Sequence, residues 1–263
     1  MERIQSSDGT PIAFDRSGEG PPVIFVPGLF QHRAIDPGTA ELAALLAPRF
    51  TVFHYDRRGR GDSGDTVPYA VEREVEDVGA LIDEAGGSAA LYGMSSGGAL
   101  ALEAAARGLA VTKLAVYEPP FTDDKGTTEP SEELAAGVAE LVGAGRPGDA
   151  VALFMTSSGM PAEAVEQMRE APFWAGLESV AHTMPYDLTL MGDAAALLSE
   201  RAPAVAVPTL ALDGGASPPW GRLSADAVAA AVPGAERQTL EGQTHEVAAA
   251  VLAPVLAEFF ART

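Results

Sequence analysis

Short apolar runs alternate with longer alanine-rich stretches along most of this chain, and this alternation constrains the fold more than any other feature. The strand-like runs are residues 22–26, 51–55, 89–92, 113–117 and 207–212, with further edge candidates at 11–16 and 235–240. The helix-like stretches, with apolar residues at three- to four-residue spacing, are 37–47, 71–84, 95–107 and 248–261. Strands separated by helices of this length predict a mostly parallel sheet with helices on both faces.

The stretch 121–202 interrupts this rhythm. It contains helix-like segments at 131–142 and 162–170 but no convincing strand. We therefore expect residues 121–202 to form a helical cap, inserted into a core made of residues 1–120 and 203–263.

Charge and composition limit the possible partners and locations. The chain has 17 basic and 37 acidic residues and a formal net charge of −20, which disfavours nucleic acid and anionic membranes as partners. No apolar run of about 18 residues indicates a membrane span, and the polar start at 1–15 lacks the apolar core of a secretion signal. A cytoplasmic protein is the expectation.

The absence of cysteine excludes disulfides, thiolate metal sites and a cysteine nucleophile. No feature sets an oligomeric state.

A Gly-x-Ser-x-Gly pattern stands at the junction of a predicted strand and a predicted helix, as Gly93-Met94-Ser95-Ser96-Gly97. A serine on so sharp a turn needs small neighbours, because a side chain two residues before or after it would collide with the strand or helix. The helix N-terminus directs free N–H groups toward developing negative charge. The pattern predicts Ser95 as a nucleophile; a glycine-rich turn without chemistry is the alternative.

Two further segments carry a resemblance to the α/β-hydrolase superfamily, which extends over nearly all of the chain outside the cap. Residues 26–30, Val-Pro-Gly-Leu-Phe, resemble the oxyanion loop after the third strand, with Pro27 where the family usually has histidine. Residues 55–63, Tyr-Asp-Arg-Arg-Gly-Arg-Gly-Asp-Ser, resemble the turn after the fourth strand, which is structural in that family. The resemblance implies a doubly wound, mostly parallel eight-stranded sheet with a helical cap after strand 6.

The same resemblance assigns roles to single residues. It implies that Leu29, or Phe30 as the alternative, supplies a second oxyanion N–H beside that of Ser96. His245 follows the last predicted strand, at the family's position for the base. A neutral imidazole there can take the proton of Ser95 and return it to the leaving group. An ordinary histidine of a surface loop is the other interpretation.

The acid of the triad is where the sequence departs from the family. Ser217 stands where the family usually has aspartate after the seventh strand. Glu118, at the end of the sixth strand, is our first candidate, because some relatives, including haloalkane dehalogenases, carry the acid there. Asp213 is the fallback, and a triad without a carboxylate is the third possibility. Glu118 could also be a hinge residue paired with a basic group.

Five residues are candidates for lining a substrate pocket: Phe30, His32, Phe121, Phe154 and Trp174. The alternative is that the apolar side chains of the cap simply join it to the core. The sequence contains no cofactor or metal motif in a suitable context, so we expect neither a cofactor nor a metal.

The predicted activity is serine-dependent hydrolysis of a carboxylic ester, lactone or thioester through an acyl-enzyme. We expect a small-molecule substrate that is apolar and uncharged. A lyase, cyclase or acyltransferase could use the same serine and histidine, since this fold hosts several chemistries. A non-catalytic ligand-binding relative is the alternative from another class, and Ser217 is the residue that favours it.

Overall fold

An eight-stranded sheet forms the centre of the computed structural model, which describes residues 1–121 and 132–262. The strands are β1 (Glu2–Gln5), β2 (Pro11–Ser17), β3 (Pro22–Val26), β4 (Thr51–Tyr55), β5 (Ala89–Met94), β6 (Val111–Tyr117), β7 (Thr209–Gly214) and β8 (Glu236–Leu240). Their order across the sheet is β1-β2-β4-β3-β5-β6-β7-β8. Strand β2 is antiparallel to β1 and β4, and the other neighbours are parallel. The prediction of a mostly parallel eight-stranded sheet is confirmed.

Helices cover both faces of this sheet. The helices between core strands and after β8 are α1 (Pro37–Leu46), α2 (Val71–Glu84), α3 (Ser96–Ala106), α10 (Pro219–Ala231) and α11 (Ala249–Ala261). Leu42 of α1 and Leu252 of α11 belong to the apolar cluster on one face. Val78 of α2, Leu100 of α3 and Val228 of α10 belong to the cluster on the other face. The chain is therefore doubly wound, as expected.

The core strands have apolar side chains on both faces, which explains their unbroken apolar sequences. In β3, Val23 and Phe25 join the cluster with α1 and α11, whereas Ile24 and Val26 join the cluster with α2 and α3. A strand buried on both sides needs apolar residues at every position, so it shows no apolar–polar alternation.

A series of helices connects β6 to β7. Its described residues form α4 (Glu132–Gly143), α5 (Pro147–Ser157), α6 (Ala162–Arg169), α7 (Trp174–Val180), α8 (Met184–Gly192) and the three-residue α9 (Ala194–Ala196), followed by a short π-helix at Leu197–Arg201. Short 3₁₀ turns lie at Ala181–Thr183 and Ala202–Ala204. No helix in the described ranges is long and apolar enough to span a bilayer.

This helical region has an apolar centre of its own. Val138, Val151 and Leu188 are buried together in it, whereas Leu190 and Leu197, farther along the chain, join the cluster of the sheet. The region therefore docks on the sheet through its last helices. Residues 122–131, which belong to the cap expected at 121–202 and include the first residue of the helix predicted at 131–142, lie outside the described residues. The division into a core and a cap at 121–202 stays a prediction.

Two elements of the core, β1 and α10, are not predicted from the sequence. Strand β1, Glu-Arg-Ile-Gln, is mostly polar because it is an exposed edge strand that pairs only with β2 in the described sheet. Helix α10 begins with Pro219-Trp220-Gly221, and glycine in an early turn weakens the helical pattern.

Candidate active site

Ser95 occupies the turn between β5 and α3. Its backbone has φ 53° and ψ −128°, a conformation that costs a non-glycine residue about 1–3 kcal/mol and recurs at functional sites. Its amide N–H donates to the carbonyl oxygen of Tyr117 at 2.9 Å, which ties the turn to the end of β6. The Ser95 side chain does not cap α3, so its hydroxyl is not engaged at the helix end.

The two glycines of the motif allow this turn to pack. A Cβ atom on Gly97 would lie 2.1 Å from the carbonyl oxygen of Val26, and one on Gly93 would lie 2.4 Å from the carbonyl oxygen of Gly97. Neither neighbour is a flexible side chain that could move aside, because both contacts are to backbone. Packing at the turn therefore requires glycine at both positions, as expected from the sequence.

The loop after β3 lies against Ser95. A Cβ atom on Gly28 would be 3.1 Å from the Cβ of Ser95. The N–H of Gly28 already donates to Oε1 of Gln31 at 2.6 Å, so the next amide along the loop is that of Leu29. The N–H of Ser96 belongs to the first residue of α3, where an N–H has no acceptor within the helix. The oxyanion roles of Leu29 and Ser96 stay predictions.

His245 and Glu118 are hydrogen-bonded. His245 Nδ1–H donates to Glu118 Oε2 at 2.7 Å, and the backbone N–H of Gly214 donates to Glu118 Oε1 at 2.8 Å. Because a carboxylate can only accept, Nδ1 carries the hydrogen, and Nε2 of the neutral ring has a free lone pair. Glu118 directly follows β6, has a positive φ of 42° and is completely buried.

Hydrogen bonds keep the Glu118 carboxylate ionised. Burial alone raises the pKa of Glu118, but the hydrogen bond from His245, the nearby Ser217 hydroxyl and the Gly214 N–H together bring this pKa below the ordinary glutamate value of 4.5. Ser217, which stands where the resemblance implies an aspartate, therefore lies beside the Glu118 carboxylate that contacts His245. A negative charge at this place stabilises an imidazolium when one forms.

Helix α10 shapes the space around this pair. A Cβ atom on Gly221 would lie 2.6 Å from Glu118 Oε1, so only glycine leaves room for the carboxylate. The neighbouring Trp220 ring packs edge-on against the His245 imidazole, with ring centroids 5.0 Å apart. Sequence reasoning missed both residues, although a glycine in the early part of an otherwise helical segment was a usable signal.

Ser95 and His245 lie at the same end of the strands. Ser95 bonds to the carbonyl of Tyr117, the residue before Glu118, and Glu118 bonds to His245. Across the described residues, no hydrogen bond joins the Ser95 hydroxyl directly to His245. Catalytic hydrogen bonds are often long without substrate and tighten in the reacting complex, so this contact stays a prediction.

Asp213, the fallback acid, faces another direction. Its Oδ1 accepts a hydrogen bond from the Thr239 hydroxyl at 2.9 Å and pairs with Arg237 Nη2 at 3.0 Å. Burial raises the pKa of Asp213. Its partners are thus residues of β8, whereas His245 is bonded to Glu118.

The five candidate pocket residues are found in different surroundings. Phe30, with a positive φ of 66°, packs edge-on against Phe154, with ring centroids 5.9 Å apart. His32 is buried, and this burial lowers its pKa. Phe121 is packed inside the cluster of the sheet, and Trp174 inside that of the helical region. Their roles in binding substrate stay predictions.

The turn at 55–63 holds buried arginines that the sequence analysis treated only as structural. Arg57 and Arg60 lie beneath the loop after β3 and bond to Asp187 of α8, a residue that sequence reasoning missed. The described ranges contain no group of three or more His, Asp or Glu side chains placed to hold an ion.

Comparison with known proteins identifies the relatives of the chain. A family model described as "Alpha/beta hydrolase family" matches residues 23–257. The solved structure of an alpha/beta hydrolase from Sphaerobacter thermophilus DSM 20745 is 53% identical, with 98% of this chain and 100% of that chain covered and a TM-score of 0.89. Among curated proteins, none matches at a significant level.

More distant structures share the fold. An enol-lactonase from Burkholderia xenovorans LB400 is 21% identical over 99% of this chain and 100% of that chain, with a TM-score of 0.75. A thermophilic esterase from Thermogutta terrifontis is 24% identical over 99% and 98% of the two chains, with a TM-score of 0.72. At such identities the likeness concerns the fold alone.

Gly221→Ala tests whether the Glu118 carboxylate must occupy its position. The added methyl group would displace Oε1 and is expected to lower kcat for an aryl ester by at least about tenfold, equivalent to roughly 1.4 kcal/mol. Gly79→Ala in α2 is the matched control, because its Cβ would meet only ordinary contacts, starting at 3.7 Å. Steady-state kinetics and urea denaturation are measured for both variants. Unchanged kcat in a folded Gly221→Ala protein would contradict this account of α10.

Proposed function

The chain belongs to the alpha/beta hydrolase family, and within this family we propose that it is a serine-dependent hydrolase that cleaves a carboxylic ester, lactone or thioester through an acyl-enzyme. The observation that carries this proposal is the 2.7 Å hydrogen bond between His245 Nδ1 and a buried, ionised Glu118, formed beside the strained turn of Ser95. A nucleophile, a base and a group that orients the base are the three parts that acyl transfer needs.

In the proposed mechanism, Ser95 Oγ attacks the carbonyl carbon of the substrate while Nε2 of His245 accepts its proton. Glu118 holds the imidazole in the required tautomer and stabilises the imidazolium. The N–H groups of Leu29 and Ser96 bind the oxyanion of the tetrahedral intermediate. The imidazolium then protonates the leaving group, and a water molecule, deprotonated by the same histidine, releases the acyl group and restores the serine.

The position of Glu118 bears on the non-catalytic alternative. Ser217 favours that alternative, because it leaves the family's usual acid position without a carboxylate. The Glu118 carboxylate, at the end of β6, contacts the histidine instead. The Gly214 N–H donates a hydrogen bond to this carboxylate, and Gly221 leaves space for it. An arrangement that keeps a buried charge against an imidazole supports an enzyme rather than a binding protein.

The substrate class is proposed from two further observations. An enol-lactonase and an esterase are among the structures that share this fold, and both names refer to cleavage of an ester bond. The aromatic pair Phe30 and Phe154 joins the loop after β3 to helix α5, next to the proposed oxyanion donor Leu29. This supports an apolar, uncharged group on a small-molecule substrate.

Ser95→Ala is expected to abolish turnover of an aryl ester and covalent labelling by a fluorophosphonate, because both require the serine hydroxyl. Ser199→Ala, which changes an exposed serine outside the site, is the control and should keep both. Intact-protein mass spectrometry counts the label. An unlabelled wild-type protein would contradict the proposed function, and product analysis separates hydrolysis from acyl transfer or ring closure.

Glu118→Gln is expected to lower kcat by up to about 10⁴-fold, because the neutral amide no longer stabilises the imidazolium and can impose the wrong tautomer. Asp213→Asn is the matched control and should stay within about threefold of wild type. Adding Ser217→Asp to Glu118→Gln should recover part of the rate, since a carboxylate returns beside His245. A Glu118→Gln rate within threefold of wild type, with loss in Asp213→Asn, would assign the acid to Asp213.

A further inference from the structure

A buried carboxylate from the helical region contacts residues next to the proposed nucleophile, Ser95. Asp187 of α8 is completely buried, and its Oδ1 accepts hydrogen bonds from the Ser96 hydroxyl at 2.6 Å and from Arg57 Nη1 at 2.7 Å. Its Oδ2 accepts a hydrogen bond from Arg60. One side chain thus contacts the residue after the nucleophile and two arginines of the turn after β4.

Arg60 holds the peptide group that contains the proposed oxyanion donor. Its Nη1 donates to the carbonyl oxygen of Gly28 at 2.7 Å, and this carbonyl shares a peptide plane with the N–H of Leu29. In a trans peptide the C=O and N–H point to opposite sides. A cation bonded to the oxygen therefore fixes the direction of the Leu29 N–H and polarises it toward a stronger donor.

The preceding peptide group is fixed as well. Arg57 Nη1 donates to the carbonyl oxygen of Pro27 at 3.4 Å, and the N–H in the same peptide plane, that of Gly28, donates to Gln31 at 2.6 Å. The Pro27–Gly28 peptide is therefore held through both its carbonyl oxygen and its N–H. The first N–H after it that can bind an oxyanion is that of Leu29.

Charge balance explains why Asp187 matters to this arrangement. Arg57 is paired with Glu74 through Nε at 2.6 Å and Nη2 at 2.5 Å, whereas Arg60 relies on Asp187 for its carboxylate partner in the described chain. Burial raises the pKa of Asp187, but the charges of Arg57 and Arg60 and the Ser96 hydroxyl bring it below the ordinary value, so the carboxylate is ionised. Without Asp187, a buried guanidinium would lose its counter-charge.

We propose that Asp187 is a positioning residue that acts through Arg60 to orient the Gly28–Leu29 peptide, and through the Ser96 hydroxyl to hold the start of α3. One carboxylate of α8 thereby determines the orientation of both proposed oxyanion donors, the N–H groups of Leu29 and Ser96. The proposal rests on the proposed function for its catalytic consequence. It also implies that docking of α8 on the sheet is required for a competent oxyanion site.

A merely structural role would be shared by a neighbouring ion pair. Arg58, from the same turn, bonds to buried Asp77 of α2 through Nε at 2.8 Å and Nη2 at 2.7 Å. This pair is also a buried arginine–aspartate pair, although Arg58 has a second carboxylate partner in Asp8, and among the described residues it makes no hydrogen bond to the loop after β3 or to Ser96. Asp77→Asn is therefore a matched control for Asp187→Asn.

The test compares these two variants with aryl-ester kinetics and urea denaturation. Asp187→Asn is expected to lower kcat by about tenfold to a hundredfold with KM nearly unchanged, because oxyanion donors act in the transition state. Asp77→Asn should lose some stability, less than Asp187→Asn because Arg58 keeps Asp8 as a partner, and should keep kcat within about twofold. Equal losses of kcat in both variants, or unchanged kcat in folded Asp187→Asn, would overturn the proposal.

A second variant covers the case in which Asp187→Asn does not fold. Arg60→Met combined with Asp187→Leu removes the pair together, which in buried ion pairs is often neutral for stability, and leaves Arg57 paired with Glu74. The double variant should fold and show the same loss of kcat. Full activity in it would overturn the proposal.

The NMR resonance of the Leu29 amide gives a readout that does not depend on turnover. Its ¹⁵N and ¹H shifts are expected to move in Asp187→Asn and in the double variant, but not in Asp77→Asn. Unmoved Leu29 shifts would overturn the positioning role even in an active enzyme. If the wild type proved inert toward esters, the proposed function would fail while these shifts still decided the positioning role.

Discussion

The hydrogen bond between His245 and Glu118 is the interaction on which the proposed chemistry depends. It joins a loop after β8 to the end of β6 across 127 positions of sequence, so it exists only in the folded sheet. It sets the tautomer of the imidazole and places a negative charge behind it. The parallel pairing of β5 with β6 then determines where the nucleophile stands, because the Ser95 N–H bonds to the carbonyl of Tyr117.

Backbone strain is concentrated at the end of the strands where Ser95 and His245 lie. The described non-glycine residues with positive φ are Phe30, Ser95 and Glu118, and each lies in the loop or turn that follows a strand at the site. Such conformations cost about 1–3 kcal/mol each and persist only when the surrounding structure enforces them. The paired strands and the glycine contacts at the elbow and in α10 supply that enforcement. The site is therefore a product of the sheet rather than of flexible loops.

How much the sequence could predict follows from the range of the interactions involved. The sheet and the Ser95 turn were predictable, because apolar periodicity and the glycine spacing are local properties of the chain. The choice between Glu118 and Asp213 stayed open, since it depends on which strand end faces His245. Asp187 was out of reach, because its bonds to Arg57, Arg60 and Ser96 span 91 to 130 positions and no local pattern announces them.

The central claim is that Glu118 holds the His245 imidazole in the tautomer that can activate Ser95. Proton NMR of the Nδ1–H of His245 tests it most directly, because a hydrogen bond to a carboxylate shifts this resonance far downfield. We expect such a resonance in the wild type and in Asp213→Asn, and none in Glu118→Gln or His245→Gln. A wild type without it, or a resonance that survives in Glu118→Gln, would contradict the account.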